Sequence, residues 1–93
     1  MTERLRNTIE AYCVEMDPRG IDTLGGNVRS GAISWFPDEF ADAIRAGAFT
    51  PLIWEDLVDV SVDDEETLDE YLRLVWSSAA PDRPYPLDET SSE

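Results

Sequence analysis

Five apolar residues late in the chain, Leu68, Tyr71, Leu72, Val75 and Trp76, recur at i, i+3, i+4, i+7 and i+8. A helix gathers such a set on one face, because its 3.6-residue turn stacks positions three and four apart, whereas a strand scatters them over two faces. The spacing predicts a helix over residues 64–78 whose stripe must be buried against other elements. Asp63, with Glu66 three positions on, resembles a capping box in which Asp replaces Ser or Thr. The chain has 93 residues, enough for one domain, so the covering elements must come from the residues before it.

Three further helices are predicted. Over 3–17, Leu5, Ile9, Tyr12, Cys13 and Met16 share a stripe and Thr2 can cap the start. Asp17-Pro18 would end it, since Pro disfavours helical geometry in the residue before it. Cys13 reads as a small buried hydrophobe. Over 37–47, Pro37 suits the first position, Asp38 and Glu39 suit the positive end of the helix dipole, and Phe36, Phe40, Ala43 and Ile44 form the apolar face before a stop at Gly47. Over 51–58, Thr50 caps, Pro51 opens the first turn, and Phe49 with Trp54 has the spacing of a hydrophobic staple. Leu57 and Val58 continue its buried side.

Residues 18–36 contain Gly20, Gly25, Gly26 and Gly31, and read as a short hairpin or an irregular loop. Residues 79–93, with three Pro and a polar end, read as a flexible tail. The fold class expected is mainly α. Residues 1–78 form a small single-domain bundle of about four short helices, and residues 79–93 form the tail.

Charge narrows the functions open to such a bundle. Asp plus Glu number 21 against seven basic residues, all Arg, for a net charge of −14, and there is no His. Without His there is no His general base and no His-ligated metal; one Cys makes neither an intrachain disulfide nor a multi-Cys zinc site. So acidic a surface repels nucleic-acid phosphates and anionic lipid, so direct nucleic-acid or membrane binding is not expected. No apolar run approaches the roughly 18 residues that span a bilayer, and the first residues lack the apolar core of a signal peptide. A lone thiol suits a reducing compartment, which makes the cytoplasm the expected location.

The acids are unevenly placed. Residues 1–47 hold eight acids and five Arg, residues 48–93 thirteen acids and two Arg, and no basic residue lies between Arg45 and Arg73. In that gap sit Glu55, Asp56, Asp59, Asp63, Asp64, Glu65, Glu66, Asp69 and Glu70. One reading is a solvated surface of the kind salt-adapted proteins carry, with some acids favoured at helix N-termini. The functional reading is a docking face for a cationic partner, formed by Glu55, Asp56, Asp59, Asp63, Asp64, Glu66, Asp69 and Glu70, with Trp35 as an aromatic anchor. A metal site is disfavoured: Asp63-Asp64-Glu65-Glu66 lacks the Gly and the alternating spacing of a calcium loop. Neither catalysis nor a cofactor is expected, because paired carboxylates need a concave site that short helices rarely build.

The run Thr50-Pro51-Leu52-Ile53-Trp54-Glu55-Asp56-Leu57, then Asp63-Asp64-Glu65-Glu66, then Tyr71-Leu72-Arg73-Leu74-Val75-Trp76 resembles small acidic immunity proteins of bacterial toxin systems, including contact-dependent inhibition and other polymorphic toxins. The resemblance implies tight cytoplasmic binding to one basic toxin domain, such as a nuclease or deaminase, with occlusion of its active site. The alternative is a nucleic-acid mimic, for instance a phage-encoded inhibitor of a DNA-binding host defence protein, whose carboxylates would stand in rows with phosphate-like spacing.

Overall fold

The computed structural model describes residues 1–89. Along the chain lie α1 (Glu3–Tyr12), a single 3-10 turn (Val14–Met16), α2 (Pro18–Ser30), α3 (Phe36–Arg45), α4 (Pro51–Val58), α5 (Glu65–Ala79) and a last short turn of helix, α6 (Pro86–Glu89). The fold is mainly helical as expected, with six helices rather than four and no strand among the described residues. None of these helices is long and apolar enough to cross a membrane.

α1, α2, α4 and α5 each begin where a side chain accepts one of the free N–H groups, whereas α3 begins after Trp35 with no side-chain cap. Thr2 Oγ1 accepts the Leu5 N–H at 3.3 Å, and Thr50 Oγ1 accepts the Ile53 N–H at 3.2 Å. The cap of α5 is Asp64, one residue later than the capping box placed it: its carboxylate accepts the Thr67 N–H at 2.8 Å. The staple at α4 is present as an edge-on pair, with the Phe49 and Trp54 rings 5.4 Å apart at 89°.

The expected hairpin or loop at 18–36 is instead α2 followed by the turns that lead into α3. Asp17 and Pro18 do end the first helical region, but they also start the next one. Asp17 Oδ1 accepts the Arg19 N–H at 2.9 Å and Pro18 takes the first helical position. Ile21 and Leu24 are buried and Val28 packs against the core, at spacings of three and four. Gly20 and Gly25 serve close packing here, while Gly31 (φ 90°) ends α2 in the left-handed conformation. A Cβ on Gly25 would lie 2.5 Å from both the carbonyl oxygen and the hydroxyl of Ser78 on α5, while one on Gly26 would meet nothing within 4 Å. At that approach Ser78 Oγ donates to the Ile21 carbonyl at 2.7 Å, and Arg29 donates to the Ser78 carbonyl at 3.2 Å. The real reversal comes before α2, where Glu15 (φ 56°) and Met16 (φ 52°) are left-handed. That is why α1 stops at Tyr12, short of the expected residue 17. Cys13, buried at its end, has its thiol pushed up to about 12 by desolvation, which disfavours the thiolate.

The expected tail differs as well. Ala79 closes α5, and the chain then folds back so that Tyr85 and Pro86 are buried. Trp76 Nε1 donates to the Arg83 carbonyl at 3.1 Å, and Arg83 reaches Asp38 of α3 at 3.1 Å. Residues 90–93 of the expected tail lie outside the described residues.

Trp76→Ala is expected to lower unfolding free energy in urea by about 3–5 kcal/mol, the range for a buried aromatic truncation. A near-neutral result would mean that α5 does not pack through this stripe. The two adjacent glycines should respond with opposite sign. Gly26→Ala should stabilise by up to about 1 kcal/mol through helix propensity, whereas Gly25→Ala should destabilise by about 1–3 kcal/mol through overpacking on Ser78. Equal responses would rule out the close approach of α2 to α5.

Candidate partner-binding face

The acids between residues 55 and 70 divide into those the fold uses and those it leaves free. Glu55, on the half-buried side of α4, turns its carboxylate back to accept the Val62 N–H at 3.3 Å, fastening the loop after the helix. Asp56 is exposed and pairs with Arg6 of α1 at 3.7 Å. Asp59 ends α4 in the left-handed conformation (φ 58°, ψ 39°), which Asp tolerates better than most residues. Asp64 is held below the usual carboxylate range, first by its hydrogen bond from the Thr67 backbone N–H. Asp69 is engaged in a fork: it accepts from Arg73 Nε at 2.7 Å, while the other two guanidinium nitrogens bond Asp88 at 2.8 and 3.0 Å. The same guanidinium lies over the Tyr85 ring at 4.3 Å.

Asp59, Asp63, Glu65, Glu66 and Glu70 remain. All five are exposed, and none has an ion-pair partner among the described residues. They occupy the α4–α5 junction and the first turns of α5, with Glu66 and Glu70 one helical turn apart. The cations are used elsewhere: Arg4 pairs with Glu39, Arg19 with Asp17, Arg45 with Asp42 and Arg83 with Asp38.

Trp35 does not join this face. It is half-buried, its ring lies beneath the Arg4 guanidinium at 4.4 Å, and its other ring neighbour is Phe36. A different apolar surface, absent from the sequence-based expectation, lies on α4. Leu52 is 79% exposed and Ile53 40% exposed, and with Met1, itself 50% exposed, they line a groove of about 360 Å³ completed by Arg6, Asp56 and Leu57. The signal was present in the sequence. If Trp54, Leu57 and Val58 bury one side of an eight-residue helix, Leu52 must point away from it, since it lies two positions from Trp54 and so some 200° around the axis.

The described residues contain no group of three or more carboxylates or thiols placed to hold a metal ion. Comparison with protein-family models, curated proteins and solved structures finds no match to the chain.

The Arg73 fork sets a pH dependence. Asp88 is held below the ordinary carboxylate range by its hydrogen bonds from Arg73. A depressed folded-state value stabilises the fold above the unfolded value, near 4, and that contribution is lost as pH falls through the folded value. The thermal midpoint of Asp88→Asn should therefore lie below that of the native chain at neutral pH, with the gap narrowing below about pH 4. A gap that stays constant to the lowest pH measured would show that the fork contributes nothing through charge.

Proposed function

We propose that this chain is a binding domain that neutralises a basic protein by covering its active site, in the manner of an immunity protein, and that it works in the cytoplasm. The observation that carries this reading is the segregation of charge. Arg4, Arg19, Arg29, Arg45 and Arg83 pair with acids or bond backbone away from the α4–α5 junction, Arg6 and Arg73 take Asp56 and Asp69 at its two edges, and five exposed carboxylates are left between them. Free carboxylates in water add little to the affinity of a complex, but they steer a cationic surface toward one orientation and raise its association rate. Their mutual repulsion, a few tenths of a kcal/mol for a pair such as Glu66 and Glu70, is relieved when the partner arrives. The domain therefore acts by binding, with specificity set by how the partner's cations match this patch.

The test uses Asp63→Lys, Glu66→Lys and Glu70→Lys together. Asp69 is left native because it holds Arg73. The native chain first identifies the partner by capture from cell lysate, and association is then followed by surface kinetics at two salt concentrations. The triple variant should melt at or slightly above the native temperature, associate at least about tenfold more slowly, and lose most of its salt dependence. An unchanged association rate in a folded variant would remove this face from the mechanism.

A further inference from the structure

Single exposed apolar residues are ordinary on a protein surface, but three around one groove mark a contact site. Met1, Leu52 and Ile53 converge in this way between the start of α1 and α4. The same side of α4 then turns acidic. Asp56 follows Leu52 by four residues and Ile53 by three, and Asp59 follows Asp56 by three. At 1.5 Å per residue, Leu52 is succeeded by Asp56 about 6 Å further along the axis, and Asp59 follows at the left-handed cap that ends the helix. Beyond Asp59 lie the unpaired acids of the α4–α5 junction. A second copy of the chain is a poor occupant for such a surface, because each copy carries a net charge of −14.

We propose that this groove receives an amphipathic cationic helix of the partner protein. Its aliphatic side chains enter between Met1, Leu52 and Ile53, and its Lys and Arg residues further on compete with Arg6 for the exposed Asp56 and meet the unpaired Asp59 and the junction acids. A helix laid along α4 reproduces the spacing of apolar and acidic positions because both elements share one pitch. The apolar residues set residence time and the acids set association rate. This rests on the binding reading above and adds where the contact is anchored and the shape of what it holds.

The test needs no native partner. Two synthetic peptides of identical Leu and Lys composition serve as probes, one with its Leu residues on a single helical face and one scrambled. Each is titrated into the full chain, with affinity read by calorimetry and position by amide chemical shifts. The amphipathic peptide should bind at least about tenfold tighter than the scrambled one, with shifts centred on α1 and α4. Leu52→Ser with Ile53→Ser should abolish that preference while leaving a salt-sensitive background common to both peptides. Both substitutions are at exposed positions, so an unchanged melting temperature confirms an intact fold. Equal binding of both peptides by the native chain would overturn the groove and leave the acidic face standing. Shifts centred away from α4, or a native dimer that the double variant dissociates, would also overturn the groove. Binding of neither peptide at low salt would overturn the groove and the charge-steered reading together.

Discussion

The packing of this fold turns on the ring of Phe40. It lies 5.1 Å from Phe36 on its own helix, 5.5 Å from Phe49 at the approach to α4, and 6.1 Å from Trp76 on α5. The contacts continue outward, Phe49 to Trp54 at 5.4 Å and Trp76 to Tyr85 at 6.4 Å. One ring at the middle of α3 thus links the approach to α4, α5 and the returning C-terminal segment. A chain this small gains little from area alone, so large rings in mutual contact supply much of its cohesion. They must do so against the self-repulsion of a net charge of −14. Among the described residues no charged side chain is buried with them, so their acids lie at the surface, engaged by an Arg or a backbone N–H or left free.

The helices that periodicity and capping made legible are those whose apolar residues are large. Leu68, Leu72, Val75 and Trp76 of α5, and Phe36, Phe40 and Ile44 of α3, announce their faces at helical spacing. α2 was hidden because its packing depends on the absence of side chains. Gly25 is buried against Ser78 and therefore resembles turn chemistry in the sequence, while Ile21, Leu24 and Val28 are too few to outweigh it. Asp17-Pro18 carries two meanings, a stop for one helix and a start for the next, and sequence alone favours the stop. The segment after Ala79 was hidden for a related reason. Its prolines suggest an extended chain, yet Tyr85 and Pro86 are held in place by a tryptophan indole and by Arg73 and Arg83, whose partners are distant in sequence.

The acidic face was legible as a region but not residue by residue. The gap between Arg45 and Arg73 showed where carboxylates would exceed cations. It did not show that Glu55 fastens Val62, that Arg6 crosses from α1 to Asp56, or that Asp69 shares Arg73 with Asp88. Each of these depends on tertiary placement. Trp35 has the sequence setting of an anchor, between Gly31 and Pro37, but its ring lies against Arg4 and Phe36. The exposed Leu52, about half a turn from Trp54, and its neighbour Ile53 form an apolar surface beside Asp56.

Fold and proposed function meet at α4. Its inner side, Trp54, Leu57 and Val58, belongs to the aromatic core, and its outer side presents aliphatic side chains followed by carboxylates. A contact made there reaches a rigid element directly, and the junction acids beside it are already fixed by the Asp64 cap and the Glu55 tie. The most direct measurement is amide hydrogen exchange of the native chain, free and bound to the partner it captures. Exchange should slow on binding in residues 51–70, most strongly from Asp56 to Glu66. Protection confined to α2 and the Leu74–Ser78 side of α5, with residues 59–66 unchanged, would contradict the placement of the binding face at the α4–α5 junction.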